Sequence, residues 1–92
     1  MKFITYWRIR PGAMKEAVRR FLAGEGQPPA GVKLLARWHK ADCSGGWTLS
    51  ESNDPKAVYE NAAFWSDILE VYTHPVIEDA EAAPVLEKLY GK

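Results

Sequence analysis

Arg37 and His39 are the two side chains of this sequence best suited to chemistry, and they stand two residues apart in a segment with the alternation of a β-strand. Residues two apart on a strand point to the same face. A histidine titrates near neutral pH and can take a proton from a phenol or an acidic C–H, and an arginine beside it can hold the resulting anion. We therefore predict a small-molecule site with His39 and Arg37 as catalytic residues. In the alternative interpretation, both side chains lie at a strand end and hydrogen-bond to the backbone or carboxylates of a partner subunit.

Three further polar side chains are predicted to share this face and to contact the ligand: Tyr6, Ser50 and Tyr72. The two tyrosines would orient an aromatic or planar molecule. His74 is expected to be solvated, and Cys43 is the sole cysteine, so no residues stand at the spacing of a metal site. We predict neither a metal nor a cofactor.

The first half of the chain predicts a strand, a helix and a second strand. The aromatic and β-branched run from Lys2 to Arg10 reads as a strand that stops at Pro11-Gly12. Apolar residues then recur at helical spacing from Met14 to Leu22, with charged residues on the other side. A Pro- and Gly-rich connector at residues 27–31 leads to a second strand from Val32 to about Lys40.

The second half predicts a hairpin partner, another helix, a fourth strand and a short terminal helix. Residues 41–45 form the turn and Gly46 to Ser52 the third strand. Asp54 is a good N-cap and Pro55 fits the first helical position, so a helix should run to about Trp65. The fourth strand spans Ile68 to Val76, and the terminal helix must accommodate Pro84.

This order, β-α-β-β-α-β with one helix appended, predicts an α+β ferredoxin-like fold in a single domain of residues 1–92. Right-handed crossovers place both long helices on one face of a four-stranded antiparallel sheet and leave the other face open. Assigning the more apolar set of each strand to the helices puts Trp38 and Trp47 inside. It leaves a mixed open face: Ile4, Tyr6, Arg8, Leu35, Arg37, His39, Thr48, Ser50, Tyr72 and His74. A one-residue slip in the hairpin register would exchange the faces of Trp38 and His39.

The composition of the chain limits the classes of partner that we expect it to bind. Twelve Lys and Arg balance twelve Asp and Glu among 92 residues, so no field of one sign attracts a nucleic acid or an anionic membrane. The apolar run from Phe3 to Trp7 is too short for a signal peptide or a membrane span, and one cysteine suits a reducing cytoplasm. The third strand lacks the basic and aromatic residues of an RNA-recognition module. We expect a cytoplasmic protein that binds neither nucleic acid nor membrane.

Several segments together resemble a small bacterial family of unknown function: Met1-Lys2-Phe3, the stretch Gln-Pro-Pro-x-Gly-Val-Lys-Leu-Leu-x-Arg-Trp-His at residues 27–39, Gly45-Gly46, Asp54-Pro55 and Trp65-Ser66-Asp67. The resemblance covers nearly the whole chain, although Ala36 stands where a glycine is usual. This family resembles the dimeric α/β-barrel superfamily, which includes antibiotic-biosynthesis monooxygenases. That likeness implies a homodimer whose sheets pair face to face, and it implies no established reaction or catalytic residue.

Two functions remain open at this point. The first is a dimer that binds a small, partly aromatic or acidic metabolite between its facing sheets, as a binding protein or as a cofactor-independent enzyme of the monooxygenase or isomerase type. The second is a structural or regulatory dimer whose sheet faces fill one another. Trp7, Trp47 and Trp65 are expected to pack in the core or interface, and one of them can wall the pocket.

Overall fold

The chain folds as one four-stranded antiparallel sheet with three helices in a computed structural model that describes residues 1–91. The elements in chain order are β1 (Lys2–Ile9), α1 (Met14–Leu22), β2 (Lys33–His39), β3 (Gly45–Glu51), α2 (Pro55–Trp65), β4 (Leu69–Val76) and α3 (Asp79–Tyr90). The strand order β2-β3-β1-β4 and the βαββαβα arrangement are those of a ferredoxin-like α+β fold. The predicted fold class and element order are confirmed.

The start of α2 shows how closely local chemistry fixes an element. The Asp54 side chain accepts a hydrogen bond from the backbone N–H of Lys56 at 3.0 Å, and Pro55 occupies the first turn. Buried Ser52 donates to the carbonyl of Gly31 at 2.6 Å and accepts from the backbone N–H of Asp54 at 3.0 Å. This cap satisfies N–H groups that the helix leaves without partners, so the predicted helix start and end are both confirmed.

The pairing of β1 with its two neighbours defines the faces of the sheet. Thr5 lies opposite Thr48 of β3 and Thr73 of β4, and Trp7 lies opposite Gly46 and Val71. Because directly opposed residues in an antiparallel pair share a face, all of these side chains lie on the face of Thr5 and Trp7. This is the face that α1 and α2 cover, since the core around Ala17 of α1 includes Trp7 and Val71.

A β-bulge in β2 overturns the predicted face of Arg37 and His39. Leu34 pairs with Ser50, but the next residue to pair is Ala36, which lies opposite Leu49. The extra residue shifts the alternation, so Leu34 and the two later residues Arg37 and His39 all point to the helix-covered face. Arg37 pairs with Thr48 and His39 with Gly46. The prediction that Arg37 and His39 lie on the open face is wrong.

The same register corrects β3. Thr48 and Ser50 lie on the helix-covered face, whereas the more apolar Trp47 and Leu49 lie on the open face, opposite Tyr6 and Ile4. Trp38, paired with Trp47, also lies on the open face. The sequence-based assignment gives the more apolar residues of each strand to the helix-covered face. It is wrong for β3 because the open face is itself rich in aromatic side chains. It carries Ile4, Tyr6, Ala36, Trp38, Trp47, Leu49, Tyr72 and His74.

The core between the sheet and the helices is thin. Ala17, Ile68 and Leu69 are buried, and Trp7, Ile9, Ala13, Trp65 and Val71 pack against them. Of the helices, α2 packs on β4, and α1 contributes one buried residue to the core, Ala17 near its middle. Within residues 1–91 no large side chain is fully buried. Space therefore remains beneath α1.

The terminal helix α3 has no buried residue and accommodates Pro84 in its interior. Its apolar side chains Val85, Leu86, Leu89 and Tyr90 are all exposed. An ion pair between Lys2 and Glu78, at 2.9 Å, lies just before its first turn. None of the described helices is long and apolar enough to cross a lipid bilayer.

Candidate functional site

A cavity of about 340 Å³ lies between the sheet and the two helices that cover it. The helix-covered face of all four strands forms its floor, α1 and α2 form its roof, and the connector after α1 closes one end. The floor carries Thr5, Trp7, Ile9, Leu34, Arg37, His39, Thr48, Ser50, Leu69 and Val71, and the roof and end carry Ala17, Val18, Phe21, Gly26, Pro28, Asn61 and Trp65. Its volume is within the range of small-molecule sites, and its walls are mainly apolar and aromatic.

Arg37 is held in place at this cavity by Phe21 of α1 and by Gly26 of the connector after it. Its guanidinium donates to the carbonyl of Gly26 and lies over the ring of Phe21, 5.5 Å from the ring centroid. Gly26 matters because a β-carbon there would come within 3.2 Å of both terminal guanidinium nitrogens. The side chain is partly buried, and this burial lowers the pKa of Arg37. Even so, a guanidinium stays protonated at any physiological pH.

His39 lies at the mouth of the same cavity, against two aromatic rings. Its imidazole meets Trp7 edge to face at a centroid distance of 5.4 Å and Phe21 at 5.1 Å. The contact with Trp7 crosses an entire strand, because Gly46 stands between them with no side chain to intervene. No carboxylate among the described residues hydrogen-bonds to the imidazole to fix its orientation, as the base of a catalytic triad requires.

The lining of the cavity is electrostatically one-sided. It includes Arg37 and Lys40 but no aspartate or glutamate. The Lys40 ammonium lies on the far side of the sheet, 5.9 Å from the ring centroid of Tyr6. Arg37 is thus the cation that the cavity holds, and Thr5, Thr48, Ser50 and Asn61 supply neutral polar groups. Thr5 is already paired with Thr73 through their hydroxyls at 2.9 Å.

The sheet separates the five predicted site residues into two groups. Arg37, His39 and Ser50 line the cavity together. Tyr6 and Tyr72 lie on the open face, where their rings stack at a centroid distance of 6.3 Å. Their predicted place beside Arg37 and His39 is wrong, because the β2 bulge and the β3 register carry the other three through to the helix-covered face.

Phe21 lines the cavity, although its sequence pattern predicts only a place on the apolar side of α1. Trp7 and Trp65, which are predicted to pack in the core or interface or to wall the pocket, also line it. A signal was present in the glycine at position 46, which stands in the interior of a strand. Glycine there often marks a close approach of another group, and here Trp7 lies over it. Within residues 1–91, no three potential ligands cluster as a metal site would require.

The arrangement suits binding a flat apolar molecule with a polar or charged group at one end. Aromatic edges and faces from Trp7, Phe21 and Trp65 can enclose such a molecule, and Arg37 and His39 can contact its polar group. Both residues belong to β2 and point to the same face, so they can contact the same polar group of a ligand.

Comparison with known proteins adds a family and no activity. No curated protein matches the chain. Residues 1–90 match the model of a family described as a domain of unknown function (DUF3303). The matched range includes Arg37 and all the strands and helices around the cavity. The chain therefore belongs to this family of unknown function.

Proposed function

We propose that this protein binds a small, flat, largely aromatic molecule in the cavity between its sheet and helices α1 and α2. The observation that carries the proposal is the cavity itself: about 340 Å³ of space with apolar walls in a chain with few buried side chains. Well-packed interiors have few voids larger than a water molecule. A ligand that filled this one would bring Val18 and Phe21, which are more than 40% exposed, out of water.

The cavity also replaces the space between facing sheets as the ligand site, since Arg37 and His39 belong to it. The open face then has a separate role. We propose that it packs against a second copy of the chain, because it displays Trp38 at 54% and Tyr72 at 51% exposure alongside Tyr6 and Trp47. Contiguous exposed aromatic surface of this kind marks an interface on most soluble proteins.

A matched pair of variants on β3 tests the ligand site. Thr48→Phe places a phenyl ring on the cavity floor, whereas Leu49→Phe places the same ring on the opposite face of the same strand. We expect 2-naphthamide to raise the melting temperature of the wild type and of Leu49→Phe, and to leave Thr48→Phe unchanged. An equal response of all three proteins would move the ligand away from this cavity.

A second candidate function is an enzyme that moves a proton, and the observation favouring it is that His39 and Arg37 lie two residues apart on the cavity floor. His39 would take the proton and Arg37 would hold the anion so formed. The test is ligand binding and turnover by His39→Ala. Binding without turnover supports catalysis by His39, and wild-type turnover in the variant removes it from that role. A structural dimer without a ligand is the outcome in which no probe binds at all.

A further inference from the structure

The cavity holds a cation without a counter-ion. Arg37 makes one hydrogen bond to another residue, to the carbonyl of Gly26, and no carboxylate within residues 1–91 comes within 4 Å of it. Arg19 and Arg20 pair with Glu16, Glu25 or Asp67. Arg8 and Arg10 make no ion pair with a described residue, but both are exposed to solvent. Arg37 is therefore the arginine that is partly buried and whose charge no carboxylate of the described residues neutralises.

Burial makes this arrangement costly. A charged group that is partly removed from water without a paired charge loses hydration that nothing returns. The burial of Arg37 acts in that direction on its pKa, which is lowered, and no acid lines the cavity to compensate. Protein sites that carry such a cost commonly recover it when a ligand of opposite charge arrives.

The guanidinium is also positioned in advance. One edge is used by the Gly26 carbonyl, and one face is covered by the Phe21 ring. A guanidinium has five N–H donors in a planar fork, so most of its donors have no protein partner here. A fork held in place loses less conformational entropy when it binds a planar, two-oxygen anion.

The size of the cavity and the chemistry of its walls limit the class of anion that can bind there. One cation neutralises one negative charge, and Trp7, Phe21, Trp65 and Val71 leave the remaining volume apolar. A phosphate dianion would bring a second negative charge, which Arg37 alone does not neutralise. A carboxylate has one charge and the flat, two-oxygen shape that matches the fork.

We propose that the ligand of this cavity is a small aromatic or hydrophobic monocarboxylate whose carboxylate pairs with Arg37 while its apolar part lies among Trp7, Phe21 and Trp65. This rests on the proposed function, to which it adds the charge and the class of the ligand. Arg37 is then the residue that determines specificity for an anion over a neutral molecule of the same shape.

Two probes of nearly equal shape separate the charge from the shape: 2-naphthoate and 2-naphthamide. Their dissociation constants are measured by isothermal titration calorimetry on the wild type, on Arg37→Gln and on Arg8→Gln. We expect the wild type to bind naphthoate about 10 to 100 times more tightly than naphthamide, the usual value of a charge-assisted pair. Arg37→Gln should bind both probes with nearly equal affinity. Arg8→Gln should keep the preference, because Arg8 lies on the open face of β1 and does not line the cavity.

The other possible results separate a failure of the carboxylate proposal from a failure of the proposed function. Binding of naphthamide with no preference for naphthoate in the wild type, or a preference that survives in Arg37→Gln, overturns the carboxylate proposal and leaves the cavity as a site for neutral molecules. Failure of both probes to bind the wild type overturns the proposed function together with it. Gly26→Ala is the second variant if Arg37→Gln does not fold. Its added β-carbon crowds the guanidinium, so it should reduce the preference several-fold.

Discussion

Gly46 is the residue that lets the floor of the cavity form. It is buried between Trp7 on one neighbouring strand and His39 on the other, and both rings meet above it. A β-carbon at this position would come within 2.6 Å of Cζ2 of Trp7 and would also strike the backbone carbonyl of Trp38. The glycine is therefore needed for space rather than for an unusual backbone conformation.

We expect Gly46→Ala to lower the free energy of unfolding by about 1–3 kcal/mol, because the added methyl group must displace the Trp7 indole or the strand beside it. Urea denaturation measures the change. Ser50→Ala is the matched control on the same strand and face, since the Ser50 hydroxyl makes no hydrogen bond to another described residue. It should stay within about 0.5 kcal/mol of the wild type. Equal stability of both variants would show that the indole does not lie over Gly46.

At the scale of elements, an ionic cluster ties α1 to the end of α2. Arg20, which is 14% exposed, bonds to Glu16 at 2.9 Å and to Asp67 at 2.6 Å, and its guanidinium lies over the rings of Phe64 and Trp65. Arg19 also pairs with Glu16, at 2.8 Å. These contacts fix the roof of the cavity from outside, where the apolar packing beneath α1 is sparse.

This cluster predicts a loss of stability in acid. Hydrogen bonds from Arg19 and then Arg20 lower the pKa of Glu16 from 4.5 to about 2, and Arg20 lowers the pKa of Asp67 as well. A carboxylate whose pKa is depressed in the folded state stabilises that state above its unfolded pKa, and the contribution is lost as the pH falls through the folded value. The stabilisation from Glu16 should therefore be complete above about pH 5 and disappear toward pH 2.

Melting temperatures measured from pH 7 to pH 2.5 test this. The wild type should lose more thermal stability over the range than Glu16→Gln, because the variant has no carboxylate to protonate at that position. Glu60→Gln serves as the control, since Glu60 is exposed on α2 and makes no ion pair with a described residue. If Glu16→Gln and Glu60→Gln lose stability in parallel with the wild type, the cluster does not hold α1.

The elements also show which parts of this fold can be predicted from sequence and which cannot. Strong local signals, such as Asp54-Pro55 before α2 and Pro11-Gly12 after β1, place the ends of elements, and these predictions are confirmed within a residue or two. The β2 bulge at Leu35 has no local signal. It arises from how β2 meets β3 in three dimensions, and a shift of one residue moves every later side chain to the other face.

The candidate site also has a part that can be predicted from the sequence and a part that depends on how the strands pair. The alternation of residues predicts that Arg37, His39 and Ser50 share a face, and the pairing of β2 with β3 places them on one face. They could not be assigned to the helix-covered face, because the choice relied on apolar character and the open face of β3 carries Trp47 and Leu49. A homodimer and a cytoplasmic location stay predictions.

For the whole molecule, two apolar surfaces are left without cover. One is the open face of the sheet, with Trp38 and Trp47 side by side, and the other is α3, whose Leu86 and Leu89 are more than half exposed. The described chain is elongated, with extents of 55 × 29 × 18 Å. A short chain buries a small share of its own surface, so association with a second copy would bury apolar surface that the single chain leaves exposed.

We expect the protein to sediment as a dimer at about 10 µM, and Trp47→Lys to raise the dimer dissociation constant by at least about tenfold, because a charge would enter an aromatic interface. Analytical ultracentrifugation measures both. Tyr59→Lys is the control, since Tyr59 is 76% exposed on α2, away from the open face. A monomeric wild type, or equal weakening by both substitutions, would remove the open face as the interface.

The four tryptophans report separately on the two faces of the sheet, so one titration tests whether a ligand binds in the cavity beneath α1 and α2. Trp7 and Trp65 line the cavity, whereas Trp38 and Trp47 lie on the opposite face of the sheet. Each indole N–H gives its own signal in a ¹H–¹⁵N correlation spectrum, which Trp→Phe variants assign. On titration with 2-naphthamide, we expect the signals of Trp7 and Trp65 to shift in a saturable manner and those of Trp38 and Trp47 to stay in place. Shifts confined to Trp38 and Trp47, or no shift in any of the four, would contradict it.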